Sequence, residues 1–133
     1  MSTFDHERLD VYEASIEWVV VSDNIVERLP RGRAYLADQL QRAAISVPLN
    51  IAEGAGEFSK REKARFYRMA LRSATECAAI LDVCKCLNLT ADDVATSGSD
   101  LLIRIVSMLT RMVRTLGESG TGTGTGTIGA PDM

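Results

Sequence analysis

Apolar residues recur every three or four positions along most of this chain, and short segments containing Pro and Gly interrupt the pattern. A period near 3.6 residues is typical of helices that bury one side. The sequence contains no alternation of apolar and polar residues bounded by hairpin turns, which is the pattern of strands. The aromatic content of 5% agrees, because Ala, Leu, Ile and Val suit helix-packed cores. The chain is therefore predicted to be all-α.

Four helices are predicted, over residues 5–29, 34–55, 59–87 and 90–116. Pro30 and Gly32 end the first helix, and Gly54 with Gly56 ends the second. Because the connections are short, the helices pack most simply as an antiparallel up-down four-helix bundle. We predict that residues 1–116 form this single domain. Residues 117–133 repeat Gly and Thr with almost nothing to bury, which predicts a disordered tail.

Three local signals refine these helices. Pro48 lies inside the second helix, where the missing N–H and the crowded preceding turn predict a kink rather than a break. Ser59 and Glu62 have the spacing of a capping box at the start of the third helix. The Ser-Gly-Ser sequence at residues 97–99 is a candidate interruption of the fourth helix.

The first predicted helix carries two apolar faces instead of one. One face, at helical spacing, consists of Leu9, Tyr12, Ile16, Val19 and Val20. The other follows a heptad pattern and consists of Val11, Ala14, Trp18, Val21 and Ile25. A lone bundle buries only one face, and the sequence leaves open which one is core. We assign the heptad face to a homo-oligomer interface, which predicts self-association.

Several function classes are excluded by the residues that the sequence lacks. No segment approaches the roughly 18 apolar residues of a membrane span, and no secretion signal is present, so a cytoplasmic protein without a membrane partner is expected. Three Cys without a Cys-x-x-Cys pair argue against a disulfide framework and a zinc site. The only histidine, His6, excludes a di-iron site and a Ser-His-Asp set. We expect no catalytic residue, metal, cofactor or small-molecule substrate, and therefore no enzyme.

A polar stripe flanks the apolar face of the second helix. Spaced by 4, 4 and 3 residues, its members are Arg42, Ser46, Asn50 and Glu53, and we group with them Ser73 and Glu76 of the third helix. We interpret the stripe as a structural polar network that pairs charges and fixes the register of the helices. The alternative is a ligand or partner site, with Arg42 as anion binder and Glu53 as base or acceptor.

Charge is distributed unevenly along the chain, whose net charge is −3. Residues 1–30 contain seven acidic and two basic side chains, whereas residues 57–89 contain seven basic and four acidic ones. An arginine face on the third helix, at spacings of 4, 3 and 4, consists of Arg61, Arg65, Arg68 and Arg72. We interpret it as a solvated surface whose positive charge compensates the negative charge of the first helix. The alternative is a binding surface for RNA, phosphate or an acidic partner.

Three sequence stretches carry a resemblance to a known family. Residues 40–54, LQRAAISVPLNIAEG, combine an internal proline with an Arg, Ser, Asn and Glu series. Residues 65–76 contain a second motif, and Leu9-Asp10-Val11-Tyr12 with Ala14 matches an opening one. Over residues 4–116 the chain resembles the bacterial four-helix-bundle family of 23S ribosomal RNA intervening-sequence proteins.

The resemblance implies an up-down four-helix bundle that assembles as a homopentamer around a central channel. Some members of the family are encoded inside inserts in ribosomal RNA genes. A related branch, the accessory proteins of diversity-generating retroelements, looks like a set of basic partners for reverse transcriptase and RNA. This chain is acidic overall and so departs from that branch. We therefore expect a homo-oligomeric scaffold or adaptor, with an RNA-binding accessory protein as the alternative.

Overall fold

Four α-helices form the fold in the computed structural model, which describes residues 4–121, with side chains described through Gly117. They are α1 (Asp10–Glu27), α2 (Ala34–Ala55), α3 (Lys60–Cys86) and α4 (Asp92–Thr121). No strand occurs within these residues. Helix α3 packs most extensively against α2 and α4, and α1 packs against α2 and α4. The all-α prediction and the count of four helices are confirmed.

The N-terminus departs from the predicted continuous helix. Residues Asp5–Arg8 form a 3₁₀ turn, and Leu9 is extended, with φ −90° and ψ 127°, before α1 begins. Aromatic contacts hold this turn, because the His6 ring lies 5.6 Å from the Phe4 ring and 4.6 Å from the Tyr12 ring. The first predicted helix is therefore shorter than expected.

The predicted breaks between helices fall where expected, but for partly different reasons. Gly32 has a φ of +92°, a left-handed conformation that favours glycine between α1 and α2. The Ser59 hydroxyl accepts a hydrogen bond from the Glu62 amide at 3.0 Å and caps α3. Half of the capping box is thus confirmed, while the Glu62 carboxylate bonds Arg65 instead.

The end of α3 depends on a residue that the sequence pattern did not single out. Asn88 has a φ of +57°, and the Leu89 amide donates to the Cys84 carbonyl at 2.8 Å. This geometry closes a helix C-terminus by a left-handed residue, for which Asn is suited. Thr90, the expected start of the fourth helix, precedes α4, and its buried hydroxyl lacks a partner within the described chain.

Helix α4 is continuous, so the candidate interruption at residues 97–99 is wrong. Gly98 is buried, and a Cβ there would lie 3.1 Å from Leu81 Cδ2 and 3.3 Å from Trp18 Cζ3. Glycine at this position therefore serves a close approach between helices. The helix continues to Thr121, beyond the boundary predicted at residue 116. The rest of the predicted disordered tail, residues 122–133, lies outside the described residues.

The core fills the space between the four helices with aliphatic, Ala and Cys side chains around one indole. Its largest fully buried members are Trp18, Ile25, Leu40, Ile51, Leu81, Leu102, Ile105 and Leu109. Two buried hydroxyls in α1 bond back to their own helix, Ser15 to the Tyr12 carbonyl and Ser22 to the Val19 carbonyl. Pro48 is buried inside α2, which continues past it. None of the described helices is long and apolar enough to cross a membrane.

Candidate functional site

Half of the predicted polar stripe forms a hydrogen-bonded cluster between α2 and α3. The Ser46 and Ser73 hydroxyls lie 2.8 Å apart across the two helices. The Asn50 amide donates to the Ser46 carbonyl at 2.9 Å and to its hydroxyl at 3.0 Å. All three side chains are half-buried. Each side chain of this Ser46–Asn50–Ser73 cluster has a hydrogen-bond partner within the cluster, and Ser46 and Asn50 lie two residues either side of Pro48, as expected of a structural network.

The three charged members of the stripe do not join that cluster. Arg42, Glu53 and Glu76 are exposed. Within the described part of the chain, no hydrogen bond or ion pair involves them. The interpretation of the stripe as a charge-pairing network is therefore not supported for these side chains, which face solvent at the edge of the cluster.

The arginine face is exposed along its whole length. Arg65 alone of the four is paired, with its Nε and Nη2 atoms each 3.0 Å from Glu62 Oε1 and its guanidinium 4.4 Å above the Phe66 ring. Within residues 4–117, Arg61, Arg68 and Arg72 make no ion pair. The expected pairing with acidic residues of the first helix therefore does not occur inside the chain.

The face of α1 that we assigned to an oligomer interface is instead the core face. Val11, Ala14, Trp18 and Ile25 are buried within the chain, with exposed fractions of 3% or less, and Val21 packs against them. Both faces have helical spacing, so only packing against α2 and α4 could decide between them. The exposed apolar residues of α1 belong to the other face, where Ile16 is 41% and Val20 is 57% exposed.

The sequence reasoning missed a second exposed apolar pair, on α2. Ile45 and Leu49 are 45% and 58% exposed and are one turn apart, on the side away from the core. Met69 of α3 is also exposed, four residues before Ser73. The i, i+4 spacing of Ile45 and Leu49, opposite the buried face of α2, is the sequence signal that predicts this pair.

The cysteines provide no activated nucleophile in the core. Burial raises the pKa of the Cys77 thiol to about 11, and the Trp18 indole opposes part of this rise. The same indole N–H has no hydrogen-bond partner of good geometry in the described chain. Burial also raises the pKa of Cys84. Both thiols are therefore protonated at neutral pH, and Cys86 is the exposed one.

A pocket of about 510 Å³ lies at one end of the bundle, where the start of α1 meets α3 and the end of α4. Its walls are mainly apolar, with Tyr67 and Met112 among them, and its charged lining residues are Lys63, Arg111 and Asp10. Burial, and secondarily Asp5, raises the pKa of Tyr67. Lys63 donates to the Ala55 carbonyl at 3.0 Å and so closes the end of α2.

The architecture of residues 4–121, four α-helices without a strand, agrees with that of a known protein family. Residues 7–111 match the family described as 23S rRNA-intervening sequence protein. The chain belongs to this family, which confirms the resemblance carried by the residue 40–54 motif. A search of curated proteins finds no match.

One similar solved structure is that of a protein with unknown function from the S23 ribosomal protein family of Bacteroides thetaiotaomicron. The TM-score is 0.73 at 20% sequence identity, over 78% of this chain and 98% of that one. At this identity the likeness supports the fold alone.

Proposed function

We propose that this protein is a non-enzymatic homo-oligomeric scaffold or adaptor, whose subunit is an antiparallel up-down bundle. The observation that carries the proposal is the apolar surface left outside after the bundle has filled its own core. Ile16 and Val20 on α1, and Ile45 and Leu49 on α2, are all more than 40% exposed. Paired apolar residues at helical spacing on an outer surface are typical of interaction sites.

The antiparallel arrangement is supported by the contacts between consecutive helices. Gly54, near the end of α2, faces Tyr67, near the start of α3. Ser46, farther back in α2, bonds Ser73, farther along α3. The distance from the α2–α3 connection thus increases along both helices together, as it does in an antiparallel pair. The connections between α1 and α2, and between α2 and α3, are only a few residues long. Connections this short favour an antiparallel arrangement of neighbouring helices.

The proposal includes a closed assembly, for which the family resemblance implies five subunits. It also includes a cytoplasmic location, no small-molecule substrate and no catalytic activity. The buried, protonated thiols and the single histidine support the last point, since neither offers a nucleophile beside a base.

Light scattering coupled to size-exclusion chromatography tests the proposal directly. The subunit mass is 14.5 kDa, so a particle of several subunits at micromolar concentration is the expected result. A mass of five subunits would indicate closed cyclic symmetry. A monomer throughout this range would refute the scaffold.

The alternative, an RNA-binding accessory protein, is favoured by one observation. The arginines at positions 61, 68 and 72 are exposed and make no ion pair within the described chain. The partner would be a ribosomal RNA, or a reverse transcriptase with its RNA. Fluorescence anisotropy with a 23S ribosomal RNA fragment tests this, because phosphate binding weakens steeply with salt.

The triple variant Arg61→Glu, Arg65→Glu and Arg68→Glu should then lose binding, whereas Arg104→Glu with Arg114→Glu, exposed on α4, should retain most of it. Absence of binding by the unaltered protein at low salt would exclude the RNA alternative and leave the scaffold proposal intact.

A further inference from the structure

We propose which surfaces join the subunits, an inference that rests on the proposed self-association. The outer face of α1 in one copy docks on the outer surface of α2 and α3 in the next copy. We call the first the acidic face; it consists of Glu13, Ile16, Glu17, Val20, Asp23 and Glu27. We call the second the α2–α3 face; it consists of Arg42, Ile45, Leu49, Met69 and Arg72.

The acidic face combines an apolar centre with a uniformly negative rim. Ile16 and Val20 are one turn apart, and the four carboxylates share their side of the helix. All six side chains are exposed. No Lys or Arg occurs from residue 9 to residue 27, so no positive charge on α1 neutralises this side. Within the described residues, none of these carboxylates forms an ion pair.

The α2–α3 face has the complementary composition and a rigid base. Ile45, Leu49 and Met69 provide exposed apolar area. The Ser46–Ser73 hydrogen bond ties the two helices together beneath them and gives each of the two hydroxyls a partner. Arg42 and Arg72 are exposed beside this base without an ion pair in the described chain, and the other arginines of α3 extend the positive field. Glu53 and Glu76 equal Arg42 and Arg72 in number, so the net positive charge of this side comes from Arg61 and Arg68 of α3, which are exposed and unpaired within the described chain.

Geometry prevents the two faces of one chain from satisfying each other. Helix α1 packs on α2 and α4 and has little contact with α3, and each face points away from the core it helps to build. The acidic face therefore finds its complement on another copy. Because two different surfaces meet, the contact is heterologous, and repetition with a suitable rotation closes a ring. Opposite charge around an apolar centre also sets the orientation and excludes pairing of like faces.

Paired charge reversal tests this inference. Variant A carries Glu17→Arg, Asp23→Arg and Glu27→Arg, which makes the acidic face net positive and avoids the first turn of α1; variant B carries Arg42→Glu and Arg72→Glu. Each variant alone presents two faces of like charge. The dissociation constant of its assembly, measured by analytical ultracentrifugation, should therefore rise by at least about tenfold. A chain that carries all five substitutions should reassemble, because each interface of a ring of any size then pairs a positive α1 face with a negative α2–α3 face.

Matched controls separate this result from general charge effects. Arg104→Glu with Arg114→Glu, and Asp82→Arg with Asp100→Arg, reverse charges of each sign at exposed positions outside both faces. These controls should assemble like the unaltered protein, and circular dichroism should show native helix in all variants. If wild type is oligomeric and A or B stays assembled, or if the chain with all five substitutions folds but fails to reassemble, the assignment of faces is wrong. A monomeric wild type would instead refute the proposed function itself.

Discussion

Gly54 of α2 faces the Tyr67 ring of α3 so closely that a Cβ on Gly54 would lie 2.6 Å from Tyr67 Cε1. The Cβ added to Gly54 would also lie 3.1 Å from Phe66 Cβ. Helices approach this closely only where one of them has no side chain, and Lys63 bonds the Gly54 and Ala55 carbonyls beside the contact. The last turn of α2 therefore packs directly against the first turns of α3, and this close contact requires that residue 54 has no side chain.

Replacement of Gly54 by Ala should destabilise the protein by about 1 to 3 kcal/mol, because the added methyl group overlaps the Tyr67 ring. The matched control is Gly56→Ala, two residues on, where the nearest atom to a Cβ is 3.6 Å away and φ is −85°. Urea denaturation monitored by circular dichroism measures both. Equal stabilities of the two variants would contradict the close packing of α2 on α3.

Trp18→Asp should unfold the subunit rather than dissociate an assembly. The indole is fully buried at the centre of the core, so the variant places a charge there without a partner. Val20→Asp, two residues later and 57% exposed, is the control. It should keep native helix content in circular dichroism while weakening self-association. A folded, monomeric Trp18→Asp protein would restore the rejected assignment of the heptad face to an interface.

Asn50→Ala should cost about 1 kcal/mol in unfolding free energy, because it removes the donor that bonds both oxygens of Ser46. Glu53→Gln, on the same stripe, should leave the thermal midpoint unchanged because its carboxylate is exposed and unpaired within the described chain. Calorimetry compares the two. If Glu53→Gln keeps stability and assembly but abolishes capture of a partner, the charged part of the stripe is a binding site.

Stability should fall as the pH rises above 9.0. The pKa of Cys77 is raised by burial from 9.0 to about 11, so the unfolded chain ionises first, and the stability present below pH 9.0 is lost as the pH rises towards 11. The loss attributable to this thiol is up to about 3 kcal/mol. Denaturation of Cys77→Ala and Cys86→Ala across this range isolates it. Cys77→Ala should have the shallower profile of the two, with a remaining slope from Cys84 and Tyr67, whose pKa values burial also raises; identical profiles in both variants would show that Cys77 makes no contribution.

Thiol labelling provides an independent check on the same burial. Cys86 is exposed, whereas Cys77 and Cys84 are buried. A maleimide at neutral pH should therefore modify one thiol per native chain and three after denaturation. Fast modification of a second thiol in the native protein would indicate that the core opens around α3.

Local signals in the sequence were enough for the number and type of elements. The 3.6-residue period, the Pro30 and Gly32 break and the Ser59 cap act within one or two turns of the chain, and each is found where expected. The same locality explains the errors. The Ser-Gly-Ser sequence at 97–99 resembles a break, but Gly98 is required by Trp18 and Leu81, residues distant in the chain.

The sequence by itself determined that this protein is an all-α, four-helix member of its family, because periodicity, caps and motifs are properties of neighbouring residues. Tertiary structure decided which of the two apolar faces of α1 is core, since both satisfy the same period and only packing against α2 and α4 distinguishes them. It also divided the polar stripe into a bonded cluster and three exposed charges. Burial and pairing depend on distances between helices, and no spacing within a single helix contains those distances.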